Sequence, residues 1–148
     1  MKKFKWVIPL AVLLFFVSCS KEPAQEIEPE HITVQHILIA FQGSIPKDGL
    51  TRTLSEAETL VQEIFERAKN GEEFDSLVKK YTDDQYPGIY KMSNIDIPPD
   101  ESKGEYSRSR MVKAFGDVSF SLKLNGIGLA EYDPETSKYG WHIIKRIE

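Results

Sequence analysis

Residues 32–40 (ITVQHILIA) constrain this chain more than any other segment. They are rich in β-branched side chains, which pack well on a pleated surface, and they predict a strand. Successive side chains of a strand point to opposite faces. Val34, His36 and Leu38 therefore share one face, and Gln35, Ile37 and Ile39 share the other. Both faces become largely apolar toward the end of the segment. Such a strand must be covered on both sides, so it belongs at the centre of a sheet with further layers above and below.

The following residues supply those layers. Residues 41–53 contain Gly43, Pro46 and Gly49 and predict a loop. Ser55 and Glu58 have the S-x-x-E spacing of a capping box, which satisfies two otherwise orphan backbone donors. Ala57, Leu60, Val61, Ile64, Phe65 and Ala68 follow with the repeat of an amphipathic helix, and Asn70-Gly71 ends it. Phe74, Leu77, Val78 and Tyr81 continue the stripe in a shorter second helix. Residues 88–93 (GIYKMS) predict a short strand, 94–110 an exposed polar loop, and 111–121 a third helix that Gly116 weakens. Residues 128–132 and 140–147 are the last two strands, joined through 133–139. Strand, helices, strand, helix and a closing pair of strands make an α+β domain with a small mixed or antiparallel sheet.

The chain start reads as an address. Residues 1–5 (MKKFK) are basic, and 6–17 are an apolar run of 12 residues. A membrane span needs about 20, so this run predicts a signal h-region. Ser18-Cys19 then stands at a cleavage position. A small residue directly before a cysteine resembles the bacterial lipobox, although Phe16 stands where that pattern usually has Leu. The resemblance implies a signal peptide over 1–18 and a lipid on Cys19; an ordinary secretory signal with a free cysteine is the alternative. Two or more acyl chains anchor a protein stably where one does not. Residues 19–30 are polar, acidic and carry two prolines, the composition of a disordered tether. Extended, it reaches about 35–40 Å from a membrane. Residues 31–148 form the domain.

Charge and chemistry exclude several functions. The formal charge is −4, and loss of Lys2, Lys3 and Lys5 with the leader makes it −7. So acidic a chain is a poor ligand for nucleic acid, where phosphate neutralisation supplies most of the affinity. Cys19 is the only cysteine, so no intrachain disulfide forms. No G-x-S-x-G turn, HExxH, paired CxxC or glycine-rich phosphate loop is present, and no metal or cofactor is expected. His36 and His142 lie on strands near opposite ends of the domain. If those strands pair, one ring can donate to the other. Spacing alone fits either a buried pair that only fixes the core or a working site.

Several segments in order resemble one family. They are His36-Ile37-Leu38-Ile39, Gly71-Glu72-Glu73-Phe74, Tyr81-Thr82-Asp83-Asp84, Met111-Val112-Lys113-Ala114-Phe115, Ser119-Phe120-Ser121-Leu122 with Gly126, and Gly140-Trp141-His142-Ile143-Ile144-Lys145. Together they are similar to the parvulin-type peptidyl-prolyl cis/trans isomerases over about residues 32–148. The resemblance implies a four-stranded antiparallel sheet surrounded by three to four helices, with a shallow proline pocket. It implies that His36, His142, Asp84 and Ser137 form the polar, catalytic side, with Ser137 bonding a histidine. Met111, Phe115 and Tyr139 would bind the substrate, with Ile89 in place of a pocket leucine. On periodicity alone, Met111 and Phe115 equally fit plain core packing, and Asp84 a turn cap. The family's usual Gly-Gly-Asp-Leu-Gly run is replaced here by Pro87-Gly88-Ile89-Tyr90-Lys91-Met92, which alters the pocket rim. The resemblance further implies a monomeric rotamase acting on unfolded or folding proline-containing polypeptides. With the lipid anchor, it would sit on the extracytoplasmic side of a bacterial envelope membrane. The alternative is a non-catalytic chaperone or assembly lipoprotein that holds peptide in the same groove.

Overall fold

A computed structural model of the chain describes residues 27–148; the leader, Cys19 and most of the expected tether lie outside the described residues. The strand expected at the sheet centre is there. Strand β1 (His31–Ile39) is buried along all but its first residue. It pairs antiparallel on one side with β2 (Ile89–Ser93) and on the other with β5 (Trp141–Arg146). Strand β4 (Ile127–Ala130) runs antiparallel outside β5. A two-residue strand, β3 (Tyr106–Ser107), adds a parallel edge beside β2, so the order is β3-β2-β1-β5-β4. The four antiparallel strands are those expected, and the short fifth makes the sheet mixed. Two residues are too few to leave a period in the sequence.

Alternation along β1 divides the core. Ile37 and Ile39 pack with Trp141 and Ile143 under α1 (Leu54–Lys69) and α2 (Phe74–Tyr81), through Val61, Ile64, Phe74 and Leu77. Ile32 and Val34 face the other way, with Met92, Ile144 and the Phe115 and Phe120 rings of α3 (Lys113–Ser121). The sheet is thus covered on both sides.

The N-cap of helix α1 lies two residues before the expected one. Thr53, not Ser55, is the N-cap: its Oγ1 accepts from the Glu56 backbone N–H at 3.2 Å, and the Glu56 carboxylate accepts from the Thr53 N–H at 2.8 Å. Thr53 and Ser55 head overlapping boxes of the same type, and either start leaves the same buried stripe. Adding a residue pair at the front engages more backbone, and the earlier box wins. Glu73 caps α2 by accepting from the N–H groups of Asp75 and Ser76.

The stretch 94–110, expected as one exposed loop, is organised. It holds two single-turn helices, Glu101–Lys103 and Arg108–Arg110, around β3. Arg108 is its hub: its guanidinium donates to Glu28 at 2.6 Å, to the Asn94 side chain at 2.9 Å and to Asp117 at 2.9 Å. The Glu30 carbonyl also accepts from the Asn94 N–H. The last residues of the segment expected to be a free tether are therefore pinned to the domain. Gly116, in α3, faces the Arg108 stem; a Cβ there would lie 3.1 Å from its Cγ.

Candidate active site

The site begins with the register of β1 and β5. Leu38 lies opposite His142, and His36 opposite Ile144. His36 and His142 therefore sit diagonally on one face of neighbouring central strands, although 106 positions apart. Their Nδ1 atoms are 3.2 Å apart and the rings are nearly parallel, at 15°. Gly88 presses against the back of His36: a Cβ there would sit 2.6 Å from the His36 carbonyl oxygen. That crowding, with a φ of +65°, requires glycine at this position.

A hydrogen-bond chain fixes the tautomers. Asp84 Oδ2 lies 3.1 Å from His36 Nε2 and accepts from the Tyr90 hydroxyl at 3.0 Å. The His36 bond, joined by the Gln85 N–H and the Tyr90 hydroxyl, holds the Asp84 carboxyl far below the usual carboxylate range despite partial burial. A carboxylate only accepts, so His36 carries its proton on Nε2. With that proton on Nε2, His36 Nδ1 accepts from His142 Nδ1–H. Burial pushes His142 down to about 3 and keeps it neutral. Its Nε2 is left as a buried acceptor without a partner. Burial first, and then the Asp84 charge, raise the Tyr90 hydroxyl to about 12, so it remains a donor.

An apolar wall faces this chain. The Phe115 ring meets both histidines edge-on, with centroids 5.1 Å from His36 and 5.3 Å from His142. Tyr90 packs edge-on against His36 at 5.2 Å. Above these rings opens a cavity of about 630 Å³. Met111, Val112 and Phe115 line one side, the histidines, Leu38, Tyr90 and Asp84 another, and Ile45, Pro46, Lys47 and Tyr139 the rim. Among the described residues, no cluster of three or more His, Cys, Asp or Glu is disposed to hold a metal ion.

The expected site residues separate into two groups. His36, His142, Asp84, Met111, Phe115 and Tyr139 converge on the cavity. Ile89 does not: it is half-exposed and stands opposite Gln35, on the other face of the sheet from His36. Strand alternation brings its neighbour Tyr90 into the cavity instead. Ser137 is fully buried, but its hydroxyl donates to the Gly140 carbonyl at 2.8 Å and bonds neither histidine. It closes the 133–140 turn that delivers β5. Cys19 lies outside the described residues. The sequence reading missed Tyr90 and the rim residues Ile45, Pro46, Lys47 and Asp83. Tyr90 was available from the alternation of residues 88–93; the loop residues left no local signal.

Comparison with known proteins bears on the family and the fold. A family model described as a PPIC-type PPIASE domain matches residues 17–148. The chain is 29% identical over 114 residues to "Foldase protein PrsA" of Geobacillus sp. (strain WCH70), covering 77% of this chain and 37% of that protein. It is 30% identical over 104 residues to "Foldase protein PrsA 4" of Bacillus cereus, covering 68% of this chain and 31% of that protein. The chain thus spans about a third of the length of these curated relatives. The solution structure of TbPIN1 superposes with a TM-score of 0.60 at 23% identity, over 80% of this chain and 98% of that one, and shares the fold.

Proposed function

The chain belongs to the PPIC-type peptidyl-prolyl isomerase domain family, and from that premise we propose that the cavity over Phe115 is where it turns prolyl peptide bonds. The observation that carries this reading is the meeting of the His36–His142 pair with Phe115 at the floor of an open, apolar-walled hollow.

The reaction needs little more. Rotation about a peptide C–N bond must break resonance, at a barrier of about 18–20 kcal/mol. No covalent bond is made or broken, so no nucleophile is required. The enzyme accelerates exchange by binding the twisted amide more tightly than the planar one. Phe115 and Met111 grip the pyrrolidine ring and strip water from the amide, which favours its less polar twisted form. The planar amide carries more negative charge on its oxygen than the twisted one. A fixed Asp84 carboxylate near that oxygen penalises the planar form, and each 1.4 kcal/mol of such preference is worth about tenfold in rate. His36 and His142, locked by their mutual bond, form a rigid floor that keeps Asp84 and Phe115 in place. Ser137 acts at one remove, by shaping the turn before β5.

Phe115→Ala is expected to lower kcat/KM for isomerisation of a proline tetrapeptide at least tenfold, with the circular dichroism of the fold retained. Unchanged activity would remove the assignment.

For the whole protein, we propose a foldase of the bacterial envelope. The leader would be cut before Cys19 and a lipid carried there, holding the domain on the extracytoplasmic face of a membrane. Two lines support this: the sequence pattern around Cys19, and relatives named as foldases. Among the described residues no helix is long and apolar enough to cross a membrane; in this proposal the lipid on Cys19 makes the attachment. Mass measurement of the mature protein is expected to find an acylated N-terminal Cys19; an unmodified thiol contradicts the anchoring.

A further inference from the structure

The mouth of the cavity carries a charge arrangement that the isomerisation step does not use. The Asp83 side chain is nearly buried, with 6% of its surface exposed. One of its oxygens accepts from Lys47 Nζ at 2.8 Å. The other accepts from the Arg52 guanidinium at 2.7 Å and from the Ala40 N–H at 2.9 Å. Arg52 is further tied to the Ala40 carbonyl. One carboxylate thus holds both cations of the 41–53 loop. With Asp84 beside it, the two basic and two acidic groups balance.

The place matters as much as the charge. The Asp83 N–H donates to the Leu38 carbonyl, so the clasp sits beside Leu38 and Ala40, two to four residues along β1 from His36. At about 3.3 Å per residue that is roughly 7–13 Å, within reach of the one to three residues flanking a proline seated over Phe115 once the length of their own side chains is added. Lys47 and Asp83 both line the cavity, next to Ile45.

Resting on the isomerase reading above, we infer that Asp83 is a specificity-determining residue: together with Asp84 it offsets Lys47 and Arg52 and makes the site indifferent to charge next to the substrate proline, leaving selection to apolar size at Ile45 and Tyr139. Without Asp83 the same loop would present two cations and draw acidic residues.

The test compares kcat/KM for tetrapeptides with Leu, Glu or Lys before proline. Asp83→Asn keeps the shape and removes the charge. It is expected to raise the Glu:Leu ratio by about three- to tenfold, as one uncompensated charge at this range should, and high salt should erase the gain. Lys47→Met, at an exposed position, is expected to move the ratio the opposite way and to raise Lys:Leu. Because each value is a ratio within one variant, a general loss of activity cancels. Ratios that stay within twofold of wild type in both variants overturn the inference while leaving the isomerase reading intact. Should Asp83→Asn not fold, an unmoved ratio in Lys47→Met overturns it alone. A wild-type protein that turns over none of the peptides fails the isomerase reading first and takes the inference with it.

Discussion

His142 shows how much one buried side chain decides. The sequence placed it on the last strand, but only packing gives it a 5% exposed ring, a bond to His36 and an Nε2 with no partner. Those conditions carry a pH dependence. In the folded protein its pKa is pulled from 6.5 to about 3; in the unfolded chain it takes a proton near 6.5. Between those limits the unfolded state binds more protons, so stability rises with pH and is lost as pH falls. The limiting slope is about 1.4 kcal/mol per pH unit. Asp84 acts in the same direction at lower pH: its depressed pKa contributes stability above about pH 4 that is lost below it. Urea unfolding at pH 7 and pH 5 is expected to show roughly 2 kcal/mol more loss in wild type than in His142→Asn. Equal losses would show that His142 is not held neutral. At this scale, type and strand position pointed to the two histidines, and the family resemblance added Asp84, Met111 and Phe115. The resemblance misplaced Ile89 because a missing family motif hid which side of β2 faces in, and Ser137 because a hydroxyl's partner is a matter of angstroms.

The elements were easier to read than their ends. The apolar stripe of α1 identifies a helix, yet Thr53-x-x-Glu56 and Ser55-x-x-Glu58 each offer a capping box. The stripe runs in the same phase behind both, so local sequence could not choose. The observed cap makes a clear expectation. Thr53→Ala should cost about 1 kcal/mol of stability, the usual worth of an N-cap side chain, and Ser55→Ala close to nothing. Urea midpoints of the two variants measure this, and a larger loss in Ser55→Ala would contradict the assigned start. The loop between β5 and its predecessor is fixed by a different device. Gly140 holds a φ of +136°, and a Cβ there would fall 2.2 Å from the Ile39 carbonyl oxygen. The backbone of β1 and the approach to β5 are close enough only because that position has no side chain. Tight contact at this point sets the register that brings His142 diagonal to His36.

Across the whole molecule, one topological fact creates the site: the first and last strands are neighbours. The two-faced apolar strand at 32–40 and the order of elements made a covered sheet with β1 at its centre legible in advance. The family motifs, in sequence order, made most residues of the candidate site legible too. What stayed hidden is held by distant charges. Asp83 ties down 41–53 through Lys47 and Arg52, and Arg108 ties Glu28 to the folded body. Such pairs leave no period and no local spacing. The central claim is that the hollow over Phe115 catalyses rotation, not merely capture, of a proline peptide. Two-dimensional exchange NMR on an excess of a proline tetrapeptide, with a catalytic amount of the protein, tests both in one tube. The account predicts cis–trans exchange cross-peaks that grow with protein concentration and vanish with Phe115→Ala, alongside shifts of the His36 and His142 ring signals. Ring shifts without exchange cross-peaks would contradict it and leave a groove that only binds.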